Sequence, residues 1–212
     1  VGWSANAADI KIADDKRFGD VVLEGTIVAG DYDKLRKLVE DEDCTPTYYR
    51  STWASSIYLA SPGGSVVEAM KIGRLVRTLW RTTLVTEDVP ADLHQKIVTI
   101  LKLQDPESNY LCASACFFVA VGGIERSTFV DTVFLGIHQP NMSDTDLRAV
   151  SANQAIASAT QVRTIVEAYL KEMSAPAKYA DLMFSIPKDQ VRWISETDFK
   201  TDFAGLVPEL KG

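Results

Sequence analysis

Apolar and polar positions alternate through FGDVVLEGTIVAGD, a segment rich in β-branched residues, until Gly30-Asp31 breaks the pattern. YDKLRKLVEDED then carries its apolar residues at helical spacing, so the pair predicts a strand followed by a helix. A polar, Pro-containing loop, CTPTYYRSTWAS, leads to the short apolar strand SIYLA, which ends in SPGG. SVVEAMKIGRLVRTLW returns to helical spacing, and TTLVTE reads as a strand. EDVPADLHQKIVTILKLQDPESN holds a second amphipathic helix between the turn signals Val89-Pro90 and Asp105-Pro106. YLCA predicts a short strand, SACFFVAVGG a helix closed by glycines, and DTVFLGIHQP a strand closed by proline. From Ser143 to about Met173 runs one long amphipathic helical stretch; a shorter helix follows Ala175-Pro176, and turns surround Gly205. Strands alternating with helices predict an α/β fold with a mostly parallel sheet and right-handed crossovers. One domain is expected over 19–212, after an N-terminal extension over 1–18.

Composition narrows the function classes. The chain has 212 residues, a net charge of -7 and no Lys/Arg-rich run, so neither nucleic acid nor an anionic membrane is an expected partner. No apolar run approaches the roughly 18 residues of a membrane-crossing helix. Ala5-Asn6-Ala7 has the small-x-small pattern that precedes signal-peptidase cleavage, so an exported protein, periplasmic or secreted, is expected. Three cysteines, Cys44, Cys112 and Cys116, are too few for a disulfide scaffold and lack CxxC pairing. With only His94 and His138 as histidines, no metal centre is expected, and no cofactor.

Candidate chemistry gathers at three places. SPGG, Ser61 to Gly64, stands between a buried strand and a helix, where tandem glycines let a substrate approach the main chain. The N–H of Gly64 is placed to donate to an oxyanion, with Gly63 and Ser65 as neighbouring substrate contacts. In CASAC, Ser114 follows a strand and opens a helix, and the N–H of Ala115 supplies a second donor. GIHQP puts His138 at the carboxyl end of the next apolar strand. In open α/β sheets such ends share one edge, so a nucleophile, a base and two backbone donors converge there. Those are the parts of an acyl-transfer site.

SPGGSVVEA, ASACFFVAVGG and GIHQP, in that order, resemble the proteolytic subunit of Clp protease, within the Clp/crotonase superfamily. The likeness runs from about Gly19 to Val207. It implies a Clp/crotonase-like parallel sheet of ββα spiral units with a long handle-type helix. It also implies Ser114 as nucleophile, His138 as general base, and the N–H groups of Gly64 and Ala115 as oxyanion hole. The 143–173 helix corresponds in position to the family's handle, which packs subunits together, so a homo-oligomer is expected. The 50 positions from Gly64 to Ser114 exceed what the resemblance implies, and the excess lies around 87–109. The cysteines beside Ser114 are also unlike the cytosolic protease, so the likeness points to an exported Clp-protease-like group. An exported enzyme has no ATP, and no ATP-dependent unfoldase is expected as its partner.

The leading function is therefore a serine peptidase or related acyl hydrolase acting on peptide or protein substrates. A crotonase-type enzyme that polarises a coenzyme A thioester is a second reading, opposed by the serine and histidine in peptidase positions. A non-catalytic binding or assembly subunit with a vestigial site is the third. The 87–109 segment is expected to pack over part of the active edge as a lid, the alternative being a surface elaboration on the far side. The cysteines are expected to be reduced, although a Cys112–Cys116 bond becomes feasible if Cys112 precedes the helix. A carboxylate should reach the second nitrogen of His138 from the return between Ala177 and Asp198. Asp181, Asp189, Glu196 and Asp198 are the candidates; Asp189 is preferred, and a backbone carbonyl is the fallback.

Overall fold

The computed structural model describes residues 7–12, 21–41, 56–79, 82–85, 112–128, 135–140, 152–187 and 189–211. In chain order, Asp9–Ile12 (β1), Val21–Glu24 (β2), Asp31–Asp41 (α1), Ser56–Ala60 (β3), Val66–Thr78 (α2) and Thr82–Val85 (β4) make the first half. Cys112–Ala113 (β5), Cys116–Ala120 (α3), Glu125–Thr128 (β6) and Leu135–Ile137 (β7) follow. Ala152–Glu172 (α4), Lys178–Ser185 (α5), Arg192–Trp193 (β8), Glu196–Asp202 (α6) and Gly205–Leu206 (β9) end the chain before a single 3-10 turn.

A six-stranded sheet has the order β1-β2-β3-β4-β6-β9, and a three-stranded one the order β5-β7-β8. β2, β3, β4 and β6 are mutually parallel, with antiparallel strands at both edges. In the smaller sheet β5 and β7 are parallel and β8 is antiparallel. The sheets meet at a parallel bridge between Ser61 and Cys112. This is the expected mixed α/β architecture with a mostly parallel sheet. Its signature is β2, which is buried at every position as covered parallel strands require.

α3 is the anchor of the site. All five of its residues are buried, and its first aromatic, Phe117, meets Phe203 edge-on at 5.8 Å between ring centroids. Tyr169 of α4 donates its hydroxyl to the Phe118 carbonyl at 2.6 Å. Burying each phenylalanine contributes roughly 1.5–3 kcal/mol, so the turn preceding α3 is fixed to a rigid element. At the far end of α3, Arg77 donates to the carbonyls of Gly122 (2.8 Å), Met173 (3.1 Å), Val121 (3.2 Å) and Gly123 (3.3 Å). Arg126, buried beside it, donates to Val121 at 2.7 Å and also to Met173. Burial, and then the charge of Arg77, push Arg126 down to about 10, so it stays a cation at neutral pH.

Two elements depart from the sequence reading. Asp9–Ile12, assigned to an N-terminal extension, is an antiparallel edge strand, with Lys11 lying 2.8 Å from Asp9 and 3.5 Å from Glu24. Four residues of alternation are too short a run to declare a strand without the partner that pairs with it. β8 is two exposed residues, and only the antiparallel pairing with β7 makes it a strand. Within the predicted 143–173 helix, Ala152–Glu172 is helical, and 143–151 lies outside the described residues. The 87–109 segment and Cys44 also lie outside them. Among the described residues no helix is long and apolar enough to cross a membrane.

Candidate active site

Parallel pairing brings three chain segments to one edge. Ala113 donates its N–H to Ser61 O at 2.9 Å, and Ser114 donates to Gly136 O at 2.9 Å. The carboxyl ends of β3, β5 and β7 are thereby side by side, as the edge argument requires.

Ser114 has φ 58, a left-handed conformation that costs a non-glycine residue about 1–2 kcal/mol. Its carbonyl accepts the Phe117 N–H at 3.1 Å, and its own N–H is held by Gly136, so the turn is fixed on both sides. Such a sharp strand-to-helix turn projects the side chain off the end of the sheet. A disulfide brackets it: Cys112 in β5 is bonded to Cys116 at the start of α3, with Cα atoms 5.2 Å apart. This corrects the expectation of reduced cysteines. The chain reverses between the two residues, which is the condition under which a four-residue separation can close.

Ser114 Oγ lies 2.5 Å from His138 Nε2. The other ring nitrogen, Nδ1, lies 2.9 Å from the carbonyl oxygen of Gln139. A carbonyl can only accept, so Nδ1 carries the hydrogen and Nε2 is left as the acceptor for the serine hydroxyl. The structure thus fixes the tautomer with a main-chain group. Asp189 does not hold that position: it is exposed in the turn after Pro187, and the nitrogen expected to receive its carboxylate is engaged by Gln139. Asp181 ion-pairs with Arg163, and Asp198 accepts from Ser195 in the cap of α6. Glu196 pairs with Lys200.

The glycine turn packs directly on the serine turn. Gly63 has φ 104, and a Cβ there would lie 2.5 Å from Ser114 Cβ, 2.7 Å from Ala113 O and 2.8 Å from Ala115 N. No side chain fits. Gly64 has φ 134, and its Cβ would lie 2.1 Å from Ile27 O. Ile27 donates to Gly63 O at 2.7 Å and accepts from Ser65 N at 2.8 Å, which leaves the Gly64 N–H out of that bridge. Among the described residues neither the Gly64 N–H nor the Ala115 N–H has an acceptor.

Gly63 and Ser65, expected as substrate contacts, are both engaged within the fold. Gly63 N–H donates to Ser61 Oγ at 3.1 Å, and Ser65 Oγ accepts from Glu68 N as the N-cap of α2. Glu68 in turn accepts from the N–H groups of Gly30 and Tyr32, each at 2.9 Å. Burial raises that carboxyl, but the Tyr32 and Gly30 amides and Lys71 outweigh it and hold it below the usual range. Two participants stood as second choices in the sequence, a backbone carbonyl on His138 and the Cys112–Cys116 bond, and the structure takes both, with Gln139 supplying the carbonyl. The Ser61 hydroxyl escaped sequence reasoning and left no signal. Among the described residues no group of three His, Cys, Asp or Glu side chains could hold a metal ion.

No family model matches this chain, and no curated protein matches it significantly. Among solved structures it is similar to a point mutant of ClpP1 from Listeria monocytogenes, over 88% of this chain and 87% of that one, with 16% sequence identity and a TM-score of 0.49.

Proposed function

We propose that the chain is a serine acyl hydrolase acting on peptides. The observation that carries this reading is the Ser114 Oγ to His138 Nε2 contact at 2.5 Å, with the tautomer set by Gln139. In the first step Nε2 takes the hydroxyl proton as Oγ bonds to the substrate carbonyl carbon, whose π electrons move onto oxygen. The resulting oxyanion is received by the N–H groups of Gly64 and Ala115, which have no other acceptor among the described residues. The carbon–nitrogen bond then breaks, and the proton on Nε2 passes to the departing amine. Water repeats the sequence on the acyl-serine, giving the acid and free Ser114. No cofactor enters these steps.

A fluorophosphonate probe tests the reading. The native protein should be labelled, Ser114→Ala should not be, and His138→Ala should be labelled far more slowly. A native protein that stays unlabelled while folded would overturn the assignment.

Assembly and location belong to the same proposal. Copies are read to associate through the 143–173 helix, of which Ala152–Glu172 is described, with Ile165 at its surface. Sedimentation velocity checks this; a monomer at all concentrations would refute it. The Cys112–Cys116 disulfide suits an oxidising compartment, in keeping with a periplasmic or secreted enzyme that works without an unfoldase.

A further inference from the structure

Beyond His138 the small sheet carries one more strand. β8 pairs with β7 so that Trp193 faces Gly136 and Arg192 faces Ile137, which brings Val191 level with His138. Side chains alternate along strands, so Gly136, His138, Val191 and Trp193 share one face. A Cβ on Gly136 would lie 2.7 Å from Trp193 Cζ3 and 2.8 Å from Val191 Cγ1. Both side chains therefore lean across the strand that delivers the histidine, over a position where only glycine leaves room. Yet Val191 is 43% and Trp193 42% exposed, so the pair forms a ledge that presents apolar surface to solvent.

The order across the edge gives the ledge a direction. It runs from the Gly63-Gly64 turn through Ser114 and His138 to Val191 and Trp193. A carbonyl attacked at Ser114 turns its oxygen toward Gly64 and Ala115. The departing nitrogen must lie by Nε2, because that nitrogen returns the proton. The ledge is on the histidine side, away from the oxyanion donors. We propose that Val191 and Trp193 form a subsite for a large apolar side chain on the leaving-group side of the scissile bond, the residue immediately C-terminal to the cut. The proposal rests on the acyl-hydrolase reading of Ser114 and His138.

The test uses internally quenched peptides that differ only at that residue, phenylalanine or serine, with active sites titrated by fluorophosphonate. The native protein should favour the phenylalanine peptide in kcat/KM by roughly 10-fold to 100-fold, the range an apolar pocket gives. In Trp193→Ala that ratio should fall at least fivefold toward one, and Trp193→Phe should keep most of it. If Trp193→Ala does not fold, Val191→Thr takes its place, with a smaller fall in the same ratio. A native ratio near one, or a ratio unmoved by these variants, overturns the subsite. Should the native protein fail to label, the hydrolase reading falls and the ledge is read by binding instead. Phenylalanine amide and serine amide are titrated into Ser114→Ala, following the indole emission that Trp193→Phe removes. A saturable change with phenylalanine amide alone supports an apolar-binding ledge, and equal responses overturn it.

Discussion

The two ends of α3 treat the main chain in opposite ways. At its start the N–H groups of Ala115 and nearby Gly64 have no acceptor among the described residues. At its far end the carbonyls of Val121, Gly122, Gly123 and Met173 are all claimed by Arg77 and Arg126. Folded proteins satisfy nearly every buried polar group, so hydrogen-bonding capacity left open on a rigid element marks where a ligand supplies the missing partner. The arginine end is equally polar and close by, and its carbonyls are all claimed by structure; what stays open there is a side-chain donor, the buried Arg126 Nε, which has no partner among the described residues. Unmet main-chain capacity, more than polarity or charge, separates the candidate site from the scaffold.

The largest expected effect is at the open end. Ser114→Ala should lower peptide hydrolysis by on the order of 10⁴-fold or more, since nucleophile and base act as a unit. Its thermal unfolding should be unchanged or slightly raised, because alanine and serine both resist φ 58 while the hydroxyl leaves only His138. Residual hydrolysis within tenfold of the native rate would place the nucleophile elsewhere.

At the closed end the sign reverses, with stability affected first. Arg126→Met should destabilise the fold by about 3 kcal/mol, because the Val121 and Met173 carbonyls lose a charged donor in a buried setting. Chemical denaturation measures it. A loss under about 0.5 kcal/mol would mean that Arg77 alone serves those carbonyls, and the contrast between the ends would weaken.

Gly63→Ala joins the two properties at the open end. Its new methyl group would meet Ser114 Cβ and the main chain of Ala113 and Ala115, none of which can swing aside. A shift of the serine turn by a fraction of an ångström is expected to cost about 10²-fold in kcat/KM, with a smaller loss of stability. Equal activity in this variant would show that the turn tolerates displacement. The disulfide is the milder constraint on the same turn. In the double variant Cys112→Ala/Cys116→Ala, closing so short a loop is worth about 2 kcal/mol of stability by chain entropy. Differential scanning calorimetry of the oxidised native protein against the variant checks it.

What the chain discloses in advance follows the range of each interaction. β2, β3, α2 and α3 were legible because their spacing is local and their residues are buried in long runs. Ser114, His138 and Gly64 were legible as a set because parallel strands bring successive carboxyl ends to one edge, a rule of topology. The Gln139 carbonyl was not, since every residue carries one and only the ring orientation selects it. Trp193 was legible as an apolar residue, but its place at the surface was not. Ile194 is buried, but pairing with a two-residue strand leaves Val191 and Trp193 on the surface.

The smallest effect is expected where the sequence suggested a large one. A carboxylate at Nδ1 would steady the imidazolium formed during attack, and its loss in other enzymes is severe. Here Nδ1 faces the Gln139 carbonyl at 2.9 Å, while Asp189 is exposed. A carbonyl dipole holds the tautomer but offers less stabilisation to the cation than a full negative charge, so the base works without a strong partner. Asp189→Asn should therefore leave kcat within about twofold and the acid limb of the pH–rate profile where it was, since Gln139 and not Asp189 holds Nδ1. If the variant instead lost 10²-fold or more, with the acid limb moved to lower pH, Asp189 would swing onto Nδ1 when substrate binds. The pH profile decides between these, because a merely structural loss would lower the rate without moving the limb.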